Sequence, residues 1–139
     1  MGQVVQSRTM TSALLGFLRT PDPGTLGPLL SEDIRFHSPV ADYRGRSDVA
    51  HLLTLIAGVL EDVEPTRELR AGSELATFLT TAVQGHHLEG VLDEHYDAHG
   101  RLVEVTLMLR PLAALRSAVR AMGIALAAAP LPSDAGADS

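Results

Sequence analysis

The chain has 139 residues, 45% of them apolar and only 4% aromatic, which predicts one domain with a core of mainly leucine, valine and alanine. It contains no cysteine, and all 11 basic residues are arginines, which excludes disulfides, thiol nucleophiles, lysine Schiff bases and a P-loop lysine. The net charge of -6 argues against nucleic acid or a membrane as partner. No apolar run reaches about 18 residues and no signal peptide is recognisable, so we expect a soluble, cytoplasmic protein.

Two short helices are predicted in the N-terminal part of the chain. Apolar residues recur on one face over residues 9–19, which indicates an amphipathic helix. Two prolines within residues 21–24 end this helix, because proline cannot continue it. A second helix is predicted over residues 25–30 and leads into the first strand.

The first strand is predicted where apolar and polar residues alternate after residue 33. One face carries Ile34, Phe36 and Ser38, and the other carries Arg35 and His37. Pro39 ends the strand, because proline has no N–H group to donate to a neighbouring strand. A short extended piece at residues 43–44 then reaches a turn at Gly45.

A long helix follows this turn. We predict that the helix begins at Asp48 and that the Ser47 side chain caps it. Its apolar residues form one stripe that is wide enough to pack on a sheet: Val49, Leu52, Leu53, Ile56 and Leu60. Gly58 costs about 1 kcal/mol relative to alanine inside a helix. Its presence predicts that another group approaches closely there.

The second half of the chain is predicted to be antiparallel sheet followed by a helix. Strands are expected over residues 63–71, 75–83, 87–97 and 101–110, with turns at residues 72, 84–86 and 98–100. A helix over residues 112–128 carries one apolar seam: Leu112, Leu115, Val119, Met122 and Leu126. Residues 130–139 are rich in proline, alanine, aspartate and serine, which predicts a disordered tail.

The order of strand, proline, glycine turn and capped helix resembles the nuclear-transport-factor-2-like, or SnoaL-like, superfamily. The resemblance covers residues 9–111. It implies an α+β fold in which a curved antiparallel sheet forms a cone around the long helix and an apolar pocket. The N-terminal helices would close one end of this cone, and the C-terminal helix is an addition to the pattern. We expect one SnoaL-like domain over residues 1–129.

The resemblance also provides a test for ketosteroid isomerase activity, and this chain fails it. In that family the general base is an aspartate directly before a Pro-Val pair, and here the position holds Ser38. A serine hydroxyl cannot replace a carboxylate as the base at neutral pH. The matching acid on a later strand falls at Leu92, and the first helix offers no tyrosine. Limonene-epoxide-hydrolase-like members carry an Arg-x-Asp pair on a strand, and none of the predicted strands of this chain has a matching pair.

Glu94 is the predicted catalytic acid or base. On the strand over residues 87–97, the more apolar face carries Leu88, Gly90, Leu92, Glu94 and Tyr96, and we assign this face to the pocket. The resemblance also points Val103, Val105, Leu107 and Leu109 inward. Burial would raise the pKa of Glu94. Two alternatives stay open: a β-bulge at Gly90 that inverts the faces, and a salt bridge from Glu94 to Arg67 or Arg70.

The predicted ligand-binding residues are Phe36, Ser38, Tyr43, Leu92, Tyr96, Val105 and Leu107. Tyr43 and Tyr96 have an alternative interpretation as packing residues. No cofactor and no metal are expected, because the histidines and carboxylates on the outer face are spaced too widely to share an ion. A homodimer is expected through the outer face, which exposes Thr106 and Met108, unless the C-terminal helix covers that face.

Two functions remain open from the sequence. The first is a pocket protein that binds a small apolar molecule without a demonstrable reaction. The second is a cofactor-independent isomerase, polyketide-cyclase-like enzyme or hydrolase that uses a pocket carboxylate as general acid or base.

Overall fold

A computed structural model describes residues 12–137, which form five helices and one six-stranded sheet. The helices are α1 (Ala13–Arg19), α2 (Pro23–Leu29), α3 (Arg46–Val59), α4 (Leu112–Ala128) and α5 (Pro132–Ala137). The strands are β1 (Leu30–His37), β2 (Asp42–Arg44), β3 (Glu61–Ala71), β4 (Glu74–Val83), β5 (His86–Tyr96) and β6 (Leu102–Arg110). This α+β architecture confirms the predicted fold class. The first three residues of the predicted N-terminal helix, 9–11, lie outside the described part.

The sheet is curved and open, with the strand order β2-β1-β6-β5-β4-β3. Adjacent strands of the sheet are antiparallel, as predicted, except that β1 runs parallel to β6. A hairpin forces antiparallel pairing, but all of the chain from β2 to β5 lies between β1 and β6. The sequence pattern therefore carries no local signal for the direction of this one pair. No helix in the described range is long and apolar enough to span a membrane.

The first two helices begin at side-chain caps. The Ser12 hydroxyl accepts a hydrogen bond from the Leu15 N–H at 2.9 Å, which caps α1. The Asp22 carboxylate accepts from the Gly24 N–H at 3.1 Å, and Pro23 occupies the first turn of α2, where its missing N–H costs nothing. The break between the two helices lies at the two prolines, where it was predicted.

Helix α3 begins at Arg46, two residues before the predicted start, and the proposed Ser47 cap is wrong. Gly45 is the N-cap residue, with φ 93°, and no side chain caps the helix. Because this glycine adopts the left-handed region, the chain enters the helix directly and Ser47 already lies in the first turn. The close approach predicted at Gly58 is also wrong, since nothing lies within 4 Å of a Cβ built there.

A close approach exists at a different glycine, Gly90 in the middle of β5. A Cβ built on Gly90 would lie 1.9 Å from the Met108 carbonyl oxygen and 2.8 Å from Leu109 Cδ2. The strand pairing nevertheless runs through this position without a shift, because Gly90 stands opposite Leu79 and Leu109. The alternative of a β-bulge at Gly90 is therefore wrong. Glycine instead allows the neighbouring backbone to approach where the sheet bends.

The bulge lies at the end of the same strand pair. His95 stands opposite Glu104, whereas Tyr96 stands opposite Leu102, so one extra residue is inserted on β6. Leu102 is fully buried as a result, and Val103 is only half-buried, which corrects the inward orientation predicted for Val103. Further along β6, Val105 and Leu107 are buried and Met108 is 52% exposed, as the predicted alternation requires.

Helix α4 packs against α3 and the inner face of the sheet, and its most buried residues are Ala114 and Ala118. The outer face therefore stays uncovered within the described chain. Helix α5 stands where a disordered tail was predicted. Its Ser133 donates hydrogen bonds from the backbone N–H and the hydroxyl to the Asp48 carboxylate, at 3.0 and 2.6 Å. Amino-acid composition alone gives no sign of a specific contact such as that between Ser133 and Asp48. The domain boundary at residue 129 stays a prediction.

Candidate ligand pocket and buried carboxyl

A pocket of about 90 Å³ lies between α3, α4 and the inner face of β6. Leu52 and Ile56 project into it from the apolar stripe of α3, and Leu115 and Met122 project from α4. Leu107 and other apolar residues of the sheet complete the wall. Within the described residues, no charged side chain lines this space. The wall of this space is therefore predominantly apolar.

Two residues with hydroxyl groups, Ser38 and Tyr43, stand at the rim of this pocket. The Ser38 hydroxyl donates to the Ala41 carbonyl at 2.9 Å and accepts from the Ala41 N–H at 3.0 Å. These bonds close the turn after β1, so the hydroxyl is used for structure. The Tyr43 ring stacks on Phe36 with the ring centroids 6.4 Å apart and an interplanar angle of 26°.

The structure brings three of the seven predicted ligand-binding residues to the pocket: Ser38, Tyr43 and Leu107. The other four, Phe36, Leu92, Val105 and Tyr96, do not line it. The first three of these are fully buried in the core, and Tyr96 is half-buried beyond them. Inward positions two residues apart on a strand are about 7 Å apart, so this layer separates the pocket from the position of Glu94.

The sequence analysis missed the contribution of α4 to the pocket. Leu115, Ala118, Val119 and Met122 all line it. The apolar seam of the C-terminal helix was the available signal, because such a seam must cover an apolar surface. It was not used because α4 lies outside the part of the chain that carries the family resemblance.

Glu94 is buried on the inner face of β5, as predicted, with no exposed surface. Its Oε2 accepts a hydrogen bond from the Tyr96 hydroxyl at 2.9 Å, while Oε1 has no hydrogen-bond partner within residues 12–137. The Ser12 hydroxyl lies near this carboxyl but does not meet it with hydrogen-bond geometry. Thr77 is also fully buried with an unpartnered hydroxyl. The far end of the cone therefore holds a small polar cluster.

Burial raises the pKa of Glu94 to about 7, and the nearby carboxylate of Glu68 adds to this rise. The hydroxyls of Ser12 and Tyr96 oppose it. Burial and the charge of Glu94 also raise the pKa of Tyr96, so the proton stays on the tyrosine oxygen. The predicted upward direction of the Glu94 pKa is confirmed.

The alternative in which an arginine pairs with Glu94 is wrong. The Arg67 guanidinium lies over the Phe78 ring, 4.1 Å from its centroid, on the other face of the sheet. Arg70 donates to the Gly72 carbonyl and forms no salt bridge with Glu94, although its charge weakly lowers the pKa of Glu94. Among residues 12–137, Glu94 is thus a buried carboxyl that no cation pairs with, and it does not line the apolar pocket.

A polar network lies on the outer side of the sheet, directly before the pocket rim. His37 Nδ1 is 2.9 Å from Asp42 Oδ1, and its Nε2 is 2.7 Å from Glu104 Oε2. Arg35 pairs with the same glutamate at 3.2 Å. Asp42 and Glu104 raise the pKa of His37. In the described chain, no three histidine, aspartate or glutamate side chains are grouped to hold a metal ion.

Similar structures share this fold. A steroid delta-isomerase from Pseudomonas aeruginosa superposes with a TM-score of 0.77 at 27% identity, over 86% of this chain and 96% of that one. A Silicibacter pomeroyi protein with a cystatin-like fold has a TM-score of 0.77 at 22% identity, covering 81% of this chain and 82% of that chain. An NTF2-like protein of unknown function from Cytophaga hutchinsonii has a TM-score of 0.59 at 12% identity, covering 70% and 84%.

By sequence, no protein-family model and no curated protein matches the chain. The family relationship therefore rests on the three-dimensional arrangement. The neighbours have the cystatin-like or NTF2-like fold that the resemblance in sequence had implied. The chain is a member of the nuclear-transport-factor-2-like, SnoaL-like superfamily.

Proposed function

We propose that this protein binds a small, uncharged apolar molecule in the pocket between α3, α4 and β6. The observation that carries the proposal is the lining: α3, α4 and β6 contribute aliphatic side chains, and the rim hydroxyl of Ser38 is already hydrogen-bonded. A bound carboxylate or ammonium group would lose its hydration there without gaining a partner. The ligand class is therefore a neutral ring or a short branched hydrocarbon.

The volume of the pocket limits the size of the ligand. The volume of about 90 Å³ is below the roughly 150 Å³ of a cavity known to bind benzene, so it suits a compound with a single ring. A ligand of about ten non-hydrogen atoms at roughly 0.6 kcal/mol each would bind with about 6 kcal/mol, which corresponds to a dissociation constant of tens of micromolar. The similarity to a steroid delta-isomerase supports an apolar ligand, but a whole steroid would require the pocket to enlarge.

Val119→Trp is expected to weaken binding of a neutral one-ring dye such as 4-(dimethylamino)benzonitrile by at least about ten-fold, because the indole would fill the pocket mouth. Val119 lines the pocket and is 38% exposed, so the larger ring can enter without overpacking the core. Dye emission, which shifts to the blue in apolar surroundings, gives the dissociation constant by titration.

Ile124→Trp is the matched control for this substitution. Ile124 lies on the same helix, is 66% exposed and does not line the pocket. We expect its dissociation constant to stay within two-fold of the wild-type value (about 0.4 kcal/mol). Equal weakening by both tryptophans, or no saturable binding by the wild-type protein, would contradict the proposal.

A second candidate function is general acid or base catalysis by Glu94. The observation that favours it is a carboxyl with a pKa of about 7 and one unpartnered oxygen, which matches the requirement for proton transfer near neutral pH. Against it, the layer of Phe36, Leu92 and Val105 stands between Glu94 and the pocket. The two candidates differ in one respect: binding alone does not need Glu94, whereas turnover would need it.

The proposal includes a homodimer that forms through the outer face of the sheet. Phe78, Val91 and Met108 stand in one row across β4, β5 and β6, and Leu69 is 55% exposed beside them. Charged groups of both signs, including the Glu89–Arg110 pair, border this row. A twofold axis through the row would bury the apolar residues of both copies and keep the charges at the edge.

Met108→Glu is expected to convert this dimer to a monomer at micromolar concentration. The substitution would bury two carboxylates against each other near the axis, and neither would have a partner. Leu112→Glu is the control, because Leu112 is even more exposed than Met108, at 62% against 52%, but lies on α4 rather than on the sheet. Sedimentation velocity distinguishes the two states. A wild-type monomer at 50 μM (roughly the concentration of such experiments) would contradict the dimer.

A further inference from the structure

Helix α4 packs on the core mainly through partly buried side chains, and its only two buried residues, both in its first half, are small. Its buried residues are Ala114 and Ala118, and its larger side chains Leu115 and Met122 stand half-buried at the pocket. Small contacts bury little apolar area, so they hold a helix less firmly than interlocking leucines would. The helix thus covers the pocket without being locked into the core.

The far end of α4 is fastened to the start of α3 by polar contacts. The His51 Nε2–H donates to the carbonyl of Ala129, the residue that ends α4, at 2.7 Å. The Asp48 carboxylate accepts from the Ser133 N–H at 3.0 Å and from its hydroxyl at 2.6 Å. Asp48 and His51 are three residues apart on α3 and therefore share one face of that helix. We call these contacts the latch.

We propose that α4 is a lid over the apolar pocket, hinged where it leaves β6 at residues 110–111 and closed by the latch. The proposal rests on the pocket being a binding site. A ligand that fills the space behind Leu115 and Met122 enters when the far end of α4 lifts from α3. The latch then closes the lid over the bound ligand.

Two properties of the latch suit reversible opening. The Asp48–Ser133 contacts are exposed, so water replaces each hydrogen bond as it breaks. The start of α4 follows directly after β6, which is paired with β5 as far as Arg110, so this end of the helix cannot move away from the sheet. Movement of the far end is therefore easier than movement of the near end, and it exposes the pocket along the length of the helix.

The test compares Ser133→Ala with Thr54→Ala in the full-length protein. Each substitution removes one exposed hydroxyl that donates a hydrogen bond, but Thr54 bonds to the Ala50 carbonyl within α3 and does not touch α4. Ser133→Ala is expected to raise the association and dissociation rates of 4-(dimethylamino)benzonitrile by about five-fold in stopped-flow fluorescence. Asp48→Asn is expected to have an effect in the same direction. Thr54→Ala should leave both rates unchanged.

Hydrogen exchange tests the lid without a ligand. An undocked helix of 17 residues is marginal in water, so each opening exposes its amides to exchange. The amides of α4 are expected to exchange about five-fold faster in Ser133→Ala than in Thr54→Ala, with the amides of α3 unchanged. Equal exchange of α4 in the two variants would overturn the lid.

The two experiments separate failure of the lid from failure of the proposed function. If the wild-type protein binds no dye, the binding function fails and hydrogen exchange alone decides on the lid. If dye binds with equal rates in all variants and α4 exchanges equally, the pocket is a binding site and the lid is wrong.

Discussion

Gly90→Ala is expected to destabilise the protein by at least about 3 kcal/mol, and to prevent folding if the total stability lies at the low end of the usual range. The added methyl group would lie 1.9 Å from the Met108 carbonyl oxygen. The obstacle is the backbone of a neighbouring paired strand rather than the end of a flexible side chain. Relief therefore requires β5 and β6 to separate, which breaks their hydrogen bonds.

Gly58→Ala in α3 is the matched control, because the same methyl group meets nothing within 4 Å there. In a helix interior, alanine is favoured over glycine by about 1 kcal/mol, so this variant should be more stable than the wild type. Urea titration followed by circular dichroism measures both changes. A Gly90→Ala variant as stable as the wild type would show that the strands do not approach so closely at this bend.

Glu94→Gln is expected to stabilise the protein by about 2 kcal/mol at pH 7 and to have almost no effect at pH 4. Burial raises the folded-state pKa of Glu94 from its ordinary value of 4.5 to about 7. Between these values the unfolded state has released the proton and the folded state retains it. Stability therefore falls as pH rises through this window, and the loss is complete above pH 7.

The size of the effect follows from the same two pKa values. Each pKa unit corresponds to about 1.4 kcal/mol, so the rise from 4.5 to about 7 makes ionisation of the buried carboxyl cost about 3.5 kcal/mol in full. Glutamine does not ionise and still accepts the hydrogen bond from the Tyr96 hydroxyl, but its amide group needs a partner of its own. The expected stabilisation by Glu94→Gln is therefore lower than the full free-energy cost of ionising Glu94.

Glu89→Gln provides the control on the same strand. Glu89 points to the outer face and pairs with Arg110 at 2.7 Å while both remain exposed, so its loss is expected to change stability by less than about 1 kcal/mol. Chemical unfolding of the wild type and both variants at pH 4 and pH 7 gives the change in stability for each variant at each pH. A Glu94→Gln protein that is less stable than the wild type at pH 7 would mean that the carboxylate is stabilised in the folded state.

The sequence predicted the parts of the fold that depend on local pattern. Alternation placed Ile34, Phe36 and Glu94 on the inner face, and helical periodicity placed Leu52 and Ile56 in the core. These assignments succeed because side-chain direction follows directly from backbone period.

Most of the errors concern contacts between distant segments, and the Ser47 cap is a local exception. The parallel pairing of β1 with β6 and the bulge that leaves Val103 half-buried each depend on residues far apart in sequence. The same holds for the site. Glu94 was correctly predicted to be buried, but only the packing of α4 shows which part of the cone is a pocket. A periodic pattern identifies a buried face without saying what lies opposite.

The position of α4 has a consequence for how the shape of the apolar pocket can change. The wall residues Leu115 and Met122 are half-buried and belong to a helix that follows the complete sheet in the chain. Smaller or larger side chains at these two positions change the pocket volume while the strand registers and the apolar stripe of α3 stay as they are. Comparable changes at Leu52 or Leu107 would leave a void in the core or overfill it. Substitutions along this one helix therefore alter the pocket without passing through poorly folded intermediates.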